Sequence, residues 1–295
     1  MANGFVLNLL EKNKPLNIRI NSFDSKLTTP KVDLRLGLIQ LHESHLSYLW
    51  CMIYSFMSLL DFTEKRIAEG QTYIVMTDAP ELIGTNSIFT WAVSLKRECS
   101  NWPANLPSPA GVSQDCDLTN RIFIQAVLYI VYHELGHLSI GHDQYLPLIT
   151  KQELTEEESQ TLKLLECEAD NFAFDCLKEV DETEDSTLIN VFAASVAHMS
   201  NLYLITNTAD LLQMKHPDVD TRIFNLMNKV QFENEHHKSG MDLIYNIGLS
   251  LFINQLSPTY LTEDMSFESF DDILNYLYSC LDIEKSKVPP LKFRA

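Results

Sequence analysis

Apolar and polar residues alternate only near the N-terminus of the chain. NIRI at 17–20 and KVDLRLGLIQL at 31–41 alternate in part, between stretches rich in Asn, Ser, Thr and Pro, which is typical of β-strands. From Ser44 the pattern becomes helical. SHLSYLWCMIYSFMSLLDFTEKRIAEG is apolar on nearly all sides at first and predicts a buried helix that ends at Gly70. TYIVMT follows it as a further short strand candidate.

The rest of the chain shows helical patterns separated by short breaks. The segment 99–117 holds three prolines and predicts a loop. Helices are predicted over 118–140 and from Thr155, which forms a capping box with Glu158, to about 178. After the acidic linker DETEDST, a helix is predicted over 188–205 and another from His216-Pro217, with the proline in its first turn. Two more helices are predicted in the C-terminal part.

The bulk composition limits the kind of protein. The 295 residues are 45% hydrophobic, which supports a large folded core. A net charge of −18 argues against nucleic acid or an anionic membrane as the main partner. Six scattered cysteines without a CxxC pair, and a start without secretory-signal features, predict a cytoplasmic protein with reduced thiols. The most apolar stretches are too short or too interrupted for an integral membrane segment.

Candidate chemistry is concentrated in VYHELGHLSIGHD at 131–143. His133 and His137 are four residues apart, so on a helix they share one face and could bind one zinc ion at roughly 2.0–2.1 Å. Glu134 is rotated from His133 by about 100°, which places it where it could take a proton from a water activated by zinc. The alternative is a helix whose surface residues match HExxH by chance.

A zinc site of this kind needs a third protein ligand. In LLECEADNFAFDC at 164–176, Glu166, Ala169, Asp170 and Ala173 form one helical stripe. We expect Glu166 to be the ligand, the two alanines to allow close approach of the HExxH helix, and Asp170 to accept the free N–H of a ligating histidine. Glu168 is the competing ligand, about 100° away from the alanine stripe.

The other histidines of the chain fit a metal site less well. The longer HExxHxxGxxH pattern is out of register here, so His142 is a poor candidate for direct metal binding. In HPDVDTRIF at 216–224, His216 and Arg222 could donate hydrogen bonds to an oxyanion; the alternative is a helical turn with a solvated arginine. HESH at 42–45 is interpreted as a surface pair at a helix start, and His198 as a satisfied core histidine.

HELGH, ECEAD and HPDVDTRI together resemble the gluzincin metallopeptidases of the Ste24/HtpX-like and ImmA-like groups. A closer resemblance is to the phage-exclusion peptidase Lit family. It is carried by NIRI, SHLSYLW, WAVSLKRECSNWPANLPSPAG, QAVLYIVYHELGHLSIGH and LQMKHPDVDTRI, and covers about residues 17 to 230.

The resemblance to Lit implies a cytoplasmic zinc protease of bacterial abortive infection. Such an enzyme cleaves elongation factor Tu of its own cell when a phage capsid-protein peptide bound to that factor triggers it. Carried over by motif, the expected site residues are His133, His137 and Glu166 as ligands of one Zn²⁺ ion, Glu134 as base, His216 and Arg222 close to the site, and His142 at its edge.

The predicted fold is mainly α: a helical metallopeptidase core, with the HExxH helix beside the ExxAD helix, and a small N-terminal β-sheet. The expected parts are N-terminal strands at 1–43, the peptidase core at 44–230 and C-terminal helices at 231–295, in one continuous unit. The loop around Trp102 leads into the HExxH helix and is expected to shape the substrate cleft.

Two alternative functions stay open at this point. One is an ImmA-like protease that cleaves a repressor of a mobile element. The other is a sensor or toxin scaffold pinned by zinc without catalysis, with the fourth metal position closed by His142 or Cys167.

Overall fold

Helices dominate the structure, a computed structural model that describes residues 17–22, 26–70, 79–180, 183–262, 265 and 267–294. The prediction of a mainly α fold is confirmed. The α-helices in these ranges are α1 (Glu43–Ala68), α2 (Ile83–Ser94), α3 (Gln114–Ser139), α4 (Leu146–Ile149), α5 (Glu156–Val180), α6 (Glu184–Leu204), α7 (Val219–Met227), α8 (Glu235–Leu256) and α9 (Phe270–Ser286).

A three-stranded sheet precedes α1 and covers one end of α3. Its strands are β1 (Asn17–Asn21), β2 (Lys31–Asp33) and β3 (Leu38–His42), in the order β1-β3-β2. β3 runs parallel to β1 and antiparallel to β2. The single strand predicted over 31–41 is split because the chain turns at 34–37, where Gly37 has a φ of 63°. The strand predicted for TYIVMT lies outside the described residues.

The core forms around α1, as the apolar character of its first half predicts. Tyr48, Trp50 and Phe56 are almost fully buried, and α1 packs against α2, α3, α6 and α8. Tyr48 also donates a hydrogen bond from its hydroxyl to the carbonyl of Ser200 in α6. Because α1 and α6 are both buried on most sides, they form a fixed support for α3, which lies between them and α5.

Three helix starts differ from the prediction, two of them because a side chain caps an earlier turn. Ser113 accepts the N–H of Cys116, so α3 begins inside the predicted loop 99–117. Thr183 accepts the N–H of Ser186 in the same way, and part of the predicted linker DETEDST is helical. α7 begins only at Val219, so Pro217 precedes that helix and is not in its first turn.

Two other local predictions have clear outcomes. The capping box is confirmed, since Thr155 Oγ1 accepts the N–H of Glu158 and the Glu158 carboxylate accepts the N–H of Thr155. The prediction of a surface pair at HESH is wrong. His42 and His45 are both buried, because β3 runs directly into α1 and the junction packs inside the molecule.

Within the described ranges, no helix combines the length and the apolar character that a bilayer span requires.

Candidate active site

The site lies where α3 and α5 make their closest contact. Gly136, inside HELGH, faces Ala169 of α5, and a Cβ atom at position 136 would lie only 3.2 Å from Ala169 Cα. Ala169 and Ala173 are fully buried. Small residues on both helices therefore let the two backbones approach, and this approach brings Glu166 of α5 to His133 and His137 of α3.

Three side chains, His133, His137 and Glu166, converge at this contact and form what we call the donor triangle. His133 Nε2 and His137 Nε2 are 3.2 Å apart. Glu166 Oε2 lies 3.5 Å from His133 Nε2, and Glu166 Oε1 lies 3.5 Å from His137 Nε2. Of the described residues, these form the group whose donor atoms could hold a metal ion.

The donor triangle fits a tetrahedral zinc ion. With metal–ligand bonds of roughly 2.0–2.1 Å, ligand atoms at tetrahedral angles are separated by about 3.4 Å, and the observed separations are 3.2 and 3.5 Å. Two imidazoles and a carboxylate are also the donor types that zinc takes in catalytic sites. Glu166 belongs to the triangle, and the carboxylates of Glu134 and Asp170 lie close to it. Arg222 neutralises Asp170, so a divalent cation would balance the negative charges of Glu134 and Glu166.

His133 is oriented by a buried ion-pair network. Its Nδ1 lies 2.9 Å from Asp170 Oδ1, and Arg222 makes a bidentate pair with the same carboxylate, at 2.6 and 2.8 Å. Tyr129, one helical turn before His133, donates its hydroxyl proton to Asp170 over 3.3 Å and is 2.7 Å from His198 Nε2. Burial alone would raise the pKa of Asp170, but the charge of Arg222 and the contact with His133 outweigh it and hold that pKa well below its ordinary value.

Without a metal ion, protons are distributed unequally between the two histidines of HELGH. Burial alone would lower the pKa of His133, but Asp170 and Glu166 outweigh it and raise the pKa to about 10. Burial and the charge of His133 lower the pKa of His137 to about 3. His133 therefore holds a proton between the carboxylates of Asp170 and Glu166. A metal ion that binds its Nε2 would release one proton from this imidazole.

His137 is oriented by a second chain of contacts. Its Nδ1 is 2.8 Å from Nδ1 of His142, which is fully buried, and His142 Nε2 is 3.2 Å from Glu168 Oε2. If His137 binds metal through Nε2, its Nδ1 carries the proton and donates it to His142, which in turn donates from Nε2 to Glu168. The structure therefore places Glu166 at the donor triangle and Glu168 on His142.

A cleft of 430 Å³ opens beside the donor triangle. Glu134 lines it, is buried and, within the described ranges, has no hydrogen-bond partner. Burial raises the pKa of Glu134, which strengthens it as a base. His216 also lines the cleft, with its side chain 53% exposed, and its Nδ1 is 3.1 Å from Glu166 Oε2.

The structure brings all of the predicted site residues into one region, but only some of them line the cleft. Arg222 lines it with Nε and Nη2 of its guanidinium held by Asp170, while His142 lies behind His137. The loop around Trp102 contributes no lining residue, so the expectation that it shapes the cleft is wrong. Trp102 instead packs against Trp50 and Trp91 and donates its indole N–H to the Pro107 carbonyl.

Two residues near the site were missed or undervalued in the sequence. Tyr129 precedes His133 by four residues, so its helical spacing was a usable signal. His198 is a buried, hydrogen-bonded histidine, as interpreted from the sequence, but it also lines the cleft. No local pattern shows this, because His198 reaches the site from α6.

The class to which the fold and site point is that of the peptidases. A family model described as peptidase U49 matches residues 39–242, which is more than half of the chain. The chain belongs to this family, which is the family of the Lit and cell death peptidases, so the predicted resemblance to Lit is confirmed.

A curated relative agrees with this assignment. The chain is 24% identical over 149 residues to a cell death peptidase of Escherichia coli (strain K12). The aligned region is 46% of this chain and 49% of the relative, so the chain spans about half the length of that protein. No solved structure matches the chain significantly.

Proposed function

We propose that this protein is a zinc-dependent endopeptidase that cleaves a host translation factor, elongation factor Tu, in abortive-infection defence against phage. The observation that carries the peptidase chemistry is the convergence of His133, His137 and Glu166 beside a cleft that Glu134 also lines. Membership of the peptidase U49 family supports a protein substrate.

In this proposal His133 and His137 hold the zinc ion through Nε2, and Glu166 holds it through its carboxylate. When bound, zinc supplies Lewis-acid polarisation of a water and of the scissile carbonyl. Glu134 accepts the proton of the attacking water on its carboxylate and passes it to the leaving amine nitrogen. The raised pKa of Glu134 suits both transfers, because it makes the carboxylate a stronger base for the proton of the water.

The residues around the ligands orient and stabilise. His216, exposed on the cleft wall beside Glu166, donates a hydrogen bond to the oxyanion of the tetrahedral intermediate. Arg222 acts through Asp170: the bidentate pair keeps that carboxylate ionised and in place as the acceptor for His133 Nδ1–H. His142 has the same orienting role for His137.

The geometry favours a catalytic zinc site over a structural one. A structural site would need a fourth protein ligand, for which the candidates are His142 and Cys167. The His142 ring nitrogens contact His137 and Glu168, and among the described residues the donor group does not include Cys167. The side of the triangle that faces the cleft is therefore available to water and substrate.

The substrate and trigger rest on the Lit resemblance. The trigger in this proposal is a phage capsid peptide bound to elongation factor Tu. We place the protein in the cytoplasm, which the six free cysteines support.

The test uses Glu134→Gln, with Glu156→Gln on the exposed first turn of α5 as a matched control. Purified proteins are loaded with zinc and incubated with lysate of phage-infected bacteria, which supplies the trigger, with and without chelator, and new peptide termini are identified. Glu134→Gln should keep one zinc ion and lose about 10²-fold or more of the cleavage rate, whereas Glu156→Gln should match the wild type. Full activity of Glu134→Gln would refute the assignment. Termini in a repressor, with none in elongation factor Tu, would replace the proposed substrate.

A further inference from the structure

The C-terminal helix contacts the segment that carries His216 and Arg222. α9 lies outside residues 39–242, the range matched by the family model. Near its end, Lys285 Nζ lies 2.6 and 2.8 Å from the two carboxylate oxygens of Asp220 and 3.1 Å from Asp218 Oδ2. The three side chains are only 12–16% exposed, so this is a largely buried cluster.

The two aspartates hold the cleft wall in place. Asp218 Oδ1 accepts the backbone N–H of Gln213, and the Asp218 carbonyl accepts the N–H of Arg222. Asp220 lies in the first turn of α7, two residues before Arg222. Gln213 and His216 line the cleft, so the cluster connects α9 to the part of the cleft wall that these two residues form.

One ammonium group balances two nearby carboxylates here. Among the described residues, the hydrogen bonds and ion pairs of the Asp220 carboxylate are those with Lys285. Without Lys285, two like charges would remain close together and mostly shielded from water, which is strongly unfavourable. They would separate toward solvent, and the segment 213–222 would move with them.

Burial alone would lower the pKa of Lys285, but Asp220 and Asp218 outweigh it and raise the pKa above the ordinary lysine value. The lysine therefore stays charged at neutral pH. His216 is half exposed, and its Nδ1 lies 3.1 Å from Glu166 Oε2. A small displacement of the segment 213–222 would therefore break this contact.

We propose that Lys285 is a positioning residue, which pins the segment 213–222 through Asp218 and Asp220 so that His216 is held over Glu166 and the cleft. This inference rests on the proposed peptidase function for its effect on rate, but its structural part does not.

The first measurement does not depend on activity. Hydrogen–deuterium exchange is compared for the zinc-free wild type, Lys285→Met and Lys287→Met. Lys287 is the matched control because it directly follows α9 as its C-cap residue, is 59% exposed and pairs with Glu284 of that helix. Exchange of the Gln213 and Arg222 amides should rise in Lys285→Met alone, while α3 and α6 stay protected. Unchanged exchange at 213–222 would overturn the proposal, and so would an equal rise over the whole chain.

The second measurement uses the rate at which new peptide termini appear in lysate of phage-infected bacteria. Lys285→Met should lower this rate by about tenfold to a hundredfold, with one zinc ion still bound, and Lys287→Met by about twofold or less. Lys285→Arg should recover the rate to within about threefold, because it keeps the charge. In a double-mutant cycle with His216→Ala, Lys285→Met should add almost nothing; additive losses would overturn positioning through His216.

If Lys285→Met fails to fold, Asp220→Asn replaces it in both measurements, since it removes the bidentate partner and keeps Lys285 paired with Asp218. A wild type that cuts nothing in lysate of phage-infected bacteria overturns the proposed function. The exchange measurement then decides by itself whether Lys285 restrains the segment.

Discussion

Replacement of Gly136 by alanine would test whether the close contact of α3 and α5 sets the spacing of the metal donors. A Cβ at this position would lie 3.2 Å from Ala169 Cα, 3.2 Å from Phe172 Cδ1 and 3.4 Å from the Ala169 carbonyl oxygen. Two of these three atoms belong to the backbone of α5, which cannot rotate away. The two helices would have to separate by a few tenths of an ångström.

The net effect on stability is small, but the effect on the site is larger. Alanine gains about 1 kcal/mol of helix propensity over glycine, and overpacking costs roughly 1–3 kcal/mol, so we expect a net loss of about 1 kcal/mol. Metal–ligand distances tolerate only about 0.2 Å. Because Glu166 is one turn from Ala169, Gly136→Ala should weaken zinc binding by about tenfold or more.

Zinc affinity is measured by competition with a chromophoric chelator, and stability by thermal unfolding of the zinc-free protein. Gly240→Ala is the matched control: it lies inside α8, and a Cβ there meets no atom within 4 Å. The control should gain up to about 1 kcal/mol and keep its zinc affinity. If Gly136→Ala binds zinc as tightly as the control, the helix contact does not set the donor spacing.

Three further outcomes are expected. Asp170→Asn should lose about 3 kcal/mol or more of unfolding free energy, because Arg222 would be left buried without its counter-charge; urea denaturation measures this, and an unchanged midpoint would contradict it. Burial and the neighbouring His42 lower the pKa of His45 from 6.5 to about 4, so between these values the unfolded chain binds a proton that the folded chain does not. Stability should therefore fall as pH drops from 6.5 toward 4, by up to about 1.4 kcal/mol per pH unit, and His45→Gln should flatten this slope in denaturation curves; equal slopes would rule out His45 as the source. Bound zinc should stabilise the folded protein by about 4 kcal/mol when free zinc is a thousandfold above its dissociation constant. Removal of zinc should therefore lower the melting temperature, and identical melting curves with and without zinc would argue against a bound ion.

Much of the candidate site was predictable because helical spacing is local. The stripe of Glu166, Ala169 and Asp170 on α5 follows from spacings of three and four residues, and the structure brings it to HELGH. The capping box at Thr155 was equally readable, since both partners lie within one turn. The start of α3 was placed too late, because the serine cap at 113 is a weak signal within a proline-rich segment.

The sequence by itself determined which residues share a helix face: the two imidazoles of HELGH, the glutamate beside them and the acidic stripe of α5. Only the tertiary structure decided how the helices meet. Packing placed His142 next to His137 and Glu168 next to His142, and it buried His45. It also paired Arg222 with Asp170, and Lys285 from the far end of the chain with Asp220 of α7. These contacts join residues distant in sequence, so they depend on the shapes of several helices at once rather than on the repeat of one.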